Sequence, residues 1–179
     1  MMSDADFFTG ITGQTNDLER VVAVLRQTRQ PFCLIGGLAV NHYVEPVVTL
    51  DADFAIAAAE GLEAALRAAG FAVEAHPHSL NAILPGSRLR IQITINHRYA
   101  SFPARAKETE LFGVRLPVAS LEDLVQGKLW AAGDASRRAT KRQKDRLDLA
   151  RICEAHPDMI PLVPAGVVPE VDEMRKQHE

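Results

Sequence analysis

Residues 32–56, Phe-Cys-Leu-Ile-Gly-Gly-Leu-Ala-Val-Asn-His-Tyr-Val-Glu-Pro-Val-Val-Thr-Leu-Asp-Ala-Asp-Phe-Ala-Ile, constrain the fold more than any other stretch. The apolar run Phe32–Ile35 reads as a buried strand. Gly36-Gly37 reads as a turn, Leu38–Tyr43 as a short helix, and the segment after Pro46 as a second strand carrying Asp51 and Asp53. Side chains alternate along a strand, so the two carboxylates share a side. Carboxylates so placed can hold a hard cation through oxygen ligands. Glycine lets the backbone turn tightly, and the free N–H groups opening a helix suit an anion. Taken singly, Gly-Gly also serves as a plain turn, and Asp-x-Asp at a strand end as solvated surface.

The flanking segments frame this stretch. Leu18, Val21, Val22 and Leu25 recur at helical spacing, predicting a helix over Asp17–Arg29 that Asn16 starts and Pro31 stops. Residues 1–15 read as an irregular lead-in. Glu60–Ala69 reads as a helix stopped by Gly70, and Phe71–His76 as a strand. Strands Asn81–Leu84 and Leu89–Ile95 flank a Pro85-Gly86-Ser87 turn. In the second of these, Leu89, Ile91, Ile93 and Ile95 take one face and Arg90, Gln92 and Thr94 the other. A small hairpin is expected over Glu110–Leu116. Ser120 then caps a helix over Leu121–Ala132. A further helix, Arg137–Ala155, draws its apolar side from Leu147, Leu149, Ala150 and Ile152. Pro161–Glu179 suits a short helix or a frayed tail. The fold class expected is mixed α/β (α+β): a core over residues 15–118, then a helical portion over 119–179.

At this point the chain resembles a family. Gly-Gly, a short helix and Asp-x-Asp on the next strand are similar to the nucleotidyltransferase fold of the polymerase-β superfamily. The likeness is nearest to its small bacterial branch of type IV toxin–antitoxin nucleotidyltransferases and continues to about residue 150. The resemblance implies that Asp51 and Asp53 bind Mg²⁺ (or Mn²⁺) and that Gly36 and Gly37 cradle phosphate. It makes Thr49 part of the nucleotide site. It also implies that Lys128 faces the triphosphate and that Lys144, Asp145 and Asp148 form the family's last motif.

Three departures accompany the likeness. The family's third carboxylate falls at Gln92, which can offer a carbonyl oxygen but cannot act as a general base. Leu38 stands where many members have a phosphate-binding Ser, and Val47 where Arg is frequent. Other readings of the charged residues stay open. Lys128 also suits a surface lysine, and Lys144 suits i,i+4 pairing with Asp148, as Lys141 does with Asp145.

The expected activity is transfer of a nucleoside monophosphate from an NTP to a hydroxyl of RNA, a protein or a small molecule. An alternative is a catalytically degenerate member acting as a regulatory or toxin–antitoxin partner. A third is a nucleic-acid binder working through Arg137–Arg146, which holds six basic residues and one acid. The whole-chain net charge of −3 argues against binding polyanions by bulk attraction, so any such contact must be local. Two cysteines in apolar surroundings, without metal-ligand spacing, fit reduced thiols in a cytoplasm. No signal peptide is expected, and no apolar run approaches the ~20 residues that span a bilayer.

Overall fold

The computed structural model describes residues 17–178; the lead-in expected over residues 1–15 and the Asn16 cap lie outside them. Contacts divide the chain into two compact units. The first takes the residues up to Leu38 together with Val48–Ala119, and the second takes Ala39–Val47 and the residues from Ser120 onward.

The first unit is built on one mixed sheet of seven strands: β1 (Phe32–Ile35), β2 (Asp51–Ile56), β3 (Ala72–His76), β4 (Ser79–Ile83), β5 (Arg90–Thr94), β6 (Lys107–Leu111) and β7 (Val114–Val118). Their order across the sheet is β3-β4-β5-β2-β1-β7-β6. β1 is antiparallel to β2 and parallel to β7, and β2 is parallel to β5. Every residue of β1 is buried, as its unbroken apolar run requires of a central strand.

Pairing and alternation sort the side chains onto two faces. Phe32, Leu34, Phe54, Ile91, Ile93, Leu116 and Val118 share one face and are buried. Asp51, Asp53, Arg90, Gln92 and Thr94 share the other. Helix α1 (Asp17–Gln27) buries Leu18, Val21, Val22 and Leu25, the stripe expected from spacing. At roughly 2 kcal/mol per buried aliphatic side chain, this stripe holds a helix that would be marginal alone. Helix α1 packs on α3 (Leu62–Ala68) and reaches β7. The Pro85-Gly86-Ser87 turn is tied to its start, where Ser87 Oγ donates to the Asp17 carboxylate.

Several elements differ from expectation. Gly36 and Gly37 are not a separate turn: helix α2 runs from Gly36 to Tyr43, because Gly36 takes the reversal in one residue at φ +71°. The strand expected over Asn81–Leu84 starts at Ser79, since Pro77-His78 suffices to close the β3–β4 hairpin. The hairpin expected over Glu110–Leu116 is longer, Lys107 pairing with Val118. Its tip, Phe112-Gly113, has φ of 52° and 75°, the backbone of a two-residue turn whose twist matches the strands. A short 3₁₀ turn, His97–Tyr99, and α4 (Phe102–Arg105) precede it, and α4 packs against β1 and β2.

The second unit holds α5 (Leu121–Gly133), α6 (Ala139–Ala155), a 3₁₀ segment (Pro157–Leu162) and α7 (Pro169–His178). Ser120 Oγ accepts from Asp123 N at 3.2 Å, the cap expected from sequence. Helices α5 and α6 pack together, and the 3₁₀ segment and α7 pack on α6. The buried side of α6 needs correction. Leu147 is 56% exposed, whereas Asp145 and Asp148 are buried beside Leu149, Ala150 and Ile152.

Candidate active site

β2 sets the site. Asp51 and Asp53 are half-buried, while Ala52 and Phe54 between and after them are buried on the opposite face. Across β2 and β5, Asp53 registers with Gln92 and Asp51 with Arg90. Gln92 therefore occupies the place expected of a third carboxylate, directly beside Asp53. On the other side Asp53 pairs with Ile35, the residue before Gly36. A Cβ on Gly36 would collide with the Asp53 carboxylate, and the φ of +71° already disfavours any side chain there. The carboxylate and the opening of α2 thus meet in a space that only glycine leaves open. Thr49 Oγ1 accepts from Asp51 N at 3.3 Å, holding the start of β2.

The donor set fits a hard divalent cation. Asp51 and Asp53 supply two anionic oxygens, and Gln92 can supply a neutral one. Among the described residues, His, Cys, Asp and Glu form no cluster of three or more suited to a metal. A cation resting on protein carboxylates here would rest on the Asp51–Asp53 pair. Arg90 Nε lies 2.7 Å from Asp51 Oδ1, so the Asp51 carboxylate carries a positive partner.

In the second unit the expected residues form a separate chain of charge. Lys128 Nζ lies 2.9 Å from Asp145 Oδ1 and 2.6 Å from Asp148 Oδ2. Arg137 Nε reaches Asp145 Oδ2 at 2.9 Å, and Arg151 Nη1 reaches Asp148 Oδ1 at 2.7 Å. Arg151 also donates to Asn41 Oδ1 and to the Glu45 carbonyl, and Asn41 brackets Val47 with two further hydrogen bonds. Burial by itself lowers the pKa of Lys128, but Asp148 and then Asp145 outweigh it and hold the ammonium above its ordinary value. Lys144 is exposed. The Nε atoms of Arg142 and Arg146 are buried with no hydrogen-bond partner among the described residues.

Solved structures share this architecture. The antibiotic-resistance factor ANT(2'')-Ia, in a complex with adenylyl-2''-tobramycin, aligns with TM-score 0.56 at 16% identity over 90% of this chain and 97% of its own. The lincosamide antibiotic adenylyltransferase LnuA aligns with TM-score 0.50 at 15% identity over 78% of this chain and 98% of its own. An antigenic nucleotidyltransferase-like protein from Paracoccidioides brasiliensis aligns with TM-score 0.50 at 21% identity over 87% and 80%. The chain has the nucleotidyltransferase fold. No family model and no curated protein matches its sequence.

Within this nucleotidyltransferase fold, Gly36, Asp51, Asp53 and Gln92 come together in the first unit. Lys128, Asp145 and Asp148 come together in the second. Two participants were missed. Arg90 was visible only as a polar-face residue of β5; its pairing with Asp51 depends on the β2–β5 register. Arg151 braces the 41–47 segment, and only its i,i+3 spacing from Asp148 was local, since its partners Asn41 and Glu45 lie 110 and 106 positions away in the chain.

Proposed function

We propose that this protein is a nucleotidyltransferase moving a nucleoside monophosphate from an NTP to a hydroxyl acceptor with release of pyrophosphate. The observation that carries the reading is the seating of the Asp53 carboxylate against Gly36, with Asp51 on the same face of β2. In the reaction the acceptor oxygen bonds to the α-phosphorus, and the bond from that phosphorus to the β-phosphate bridging oxygen breaks. Asp51 and Asp53 would hold Mg²⁺ or Mn²⁺, which supplies charge neutralisation at the phosphates. Gly36 and Gly37 present backbone N–H groups at the opening of α2, an eight-residue helix, toward phosphate. Thr49 keeps Asp51 in place. Gln92 orients by hydrogen bonding and takes no proton, so the acceptor proton passes to solvent or to the departing pyrophosphate. Catalysis of this kind rests on positioning and charge rather than on a strong base.

Lys128, Lys144 and Asp145 are proposed to take part in nucleotide binding. Lys128 does so only by exchanging a carboxylate partner, a cost that exposed Lys144 escapes. The acceptor is a hydroxyl of RNA, a protein or a small molecule. The names of ANT(2'')-Ia and LnuA recommend small molecules for the first screen. The proposed setting is the cytoplasm; no helix among the described residues is long and apolar enough to cross a membrane.

The test is calorimetric titration of each NTP with and without Mg²⁺, on wild type and on Asp51→Asn/Asp53→Asn. Binding that needs Mg²⁺ and vanishes in the double variant is the expected outcome. Absence of binding by every NTP overturns the reading. Gln92 in register with Asp53 favours a second one: a catalytically degenerate protein that works through a toxin or antitoxin partner. Transfer activity appearing only in Gln92→Asp would support it, and an active wild type would remove it.

A further inference from the structure

Arg90 stands directly beside Asp51 in the parallel register of β2 and β5, on the face that carries Asp53 and Gln92. Its Nε sits 2.7 Å from Asp51 Oδ1, yet its side chain is 64% exposed. An ion pair this exposed is weakly held and readily exchanged. Arg151 differs: its guanidinium is shared among Asp148, Asn41 and the Glu45 carbonyl, and its side chain is 13% exposed. Arg151 is a brace, whereas Arg90 is tethered to the site but not locked into it.

Once released from Asp51, the guanidinium remains on the face of the sheet that carries both carboxylates, and its planar fork matches phosphate oxygens.

We propose that Arg90 is a specificity-determining residue of this site. It occupies Asp51 until a divalent cation takes that carboxylate, and then turns its guanidinium to the nucleotide's phosphates. The proposal rests on the nucleotidyltransferase reading and deepens it. It makes Arg90 work in opposite directions on two ligands: against the bare cation, and for the phosphates that accompany it.

The experiment measures Mn²⁺ binding by calorimetry, with free Mn²⁺ counted by electron paramagnetic resonance. Wild type, Arg90→Gln and Arg90→Lys are titrated first with Mn²⁺ alone. They are then titrated, in saturating Mn²⁺, with each of the four NTP analogues carrying a non-hydrolysable α,β-methylene bridge. Arg90→Gln should bind Mn²⁺ about five-fold more tightly than wild type, the size of an exposed ion pair. The same variant should bind the preferred analogue about ten-fold more weakly, the size of a charge-assisted hydrogen bond. Arg90→Lys, which keeps the charge but loses the fork, should match wild type for Mn²⁺ and fall between the two for the analogue. Arg90→Gln affinities that are unchanged or that move together for both ligands overturn the proposal. If that happens while Asp51→Asn/Asp53→Asn still abolishes Mg²⁺-dependent NTP binding, the nucleotidyltransferase reading stands and only the role of Arg90 falls. Absence of Mn²⁺ and analogue binding in every variant overturns both.

Discussion

Gly36 is under two separate demands, a left-handed backbone and a carboxylate where its Cβ would be. Placing an L side chain in that backbone region costs about 1–2 kcal/mol before any collision. Gly36→Ala should therefore lower unfolding free energy by at least about 1 kcal/mol in denaturant titration and abolish Mn²⁺ binding by displacing Asp53. Lys128 is a different kind of residue, a charge buried between two carboxylates. Removing one member of such a group leaves the others undercompensated, so Lys128→Met should cost about 3 kcal/mol. The pH dependence has a definite sign. Asp148 and Asp145 hold Lys128 above its ordinary 10.5, so the folded state keeps that proton more tightly than the unfolded chain. The resulting stability is complete below the unfolded pKa and is lost as pH rises through the higher folded value. Denaturant midpoints of wild type should fall on that alkaline side, and those of Lys128→Met should fall less steeply.

At the scale of elements, α6 shows how pairing overrides hydropathy. Its sequence offers Leu147 for burial, but the helix turns Asp145 and Asp148 inward and leaves Leu147 in solvent. Lys128 on α5, with Arg137 and Arg151, compensates the two acids, and Leu147 falls on the other side of the same turn. The contact with Lys128 is not one that helical spacing offers, because Lys128 lies 17 residues from Asp145. Arg142 and Arg146 also lie on α6 and carry buried Nε donors without acceptors among the described residues. A buried donor left unpaired costs about 1–3 kcal/mol. In a buffer free of phosphate and sulfate, Arg142→Met should thus raise the melting temperature. An unchanged or lowered value would mean that the guanidinium is satisfied in solution.

The whole molecule carries one buried thiol in each unit, Cys33 on β1 and Cys153 on α6. Burial pushes the Cys153 thiol up to about 11, which leaves little thiolate near neutral pH. Neither cysteine should be alkylated under native conditions, and mass-spectrometric labelling along a denaturant gradient should read the opening of each unit separately. Lys128→Met is expected to move the Cys153 midpoint to lower denaturant. If both thiols were labelled rapidly in the native protein, their burial would be refuted.

The chain's own pattern carried most of the framework, because alternation and helical spacing are local. Asp51 and Asp53 on one face, the α1 stripe, the Ser120 cap and the buried β1 were all legible without coordinates. Gln92 beside Asp53 was legible too, since the alternation of β5 leaves it central on the polar face. Tertiary structure decided what depends on register and on contacts between distant segments. Only the β2–β5 pairing brings Arg90 to Asp51, and only the packing of α5 on α6 makes Lys128 the partner of Asp145 and Asp148. The approach of Gly36 to Asp53 likewise needs β1 and β2 paired. Sequence determined which side chains could carry charge and which backbone could bend. Three-dimensional pairing determined which charges meet, because an ion pair depends on separation in space and not along the chain.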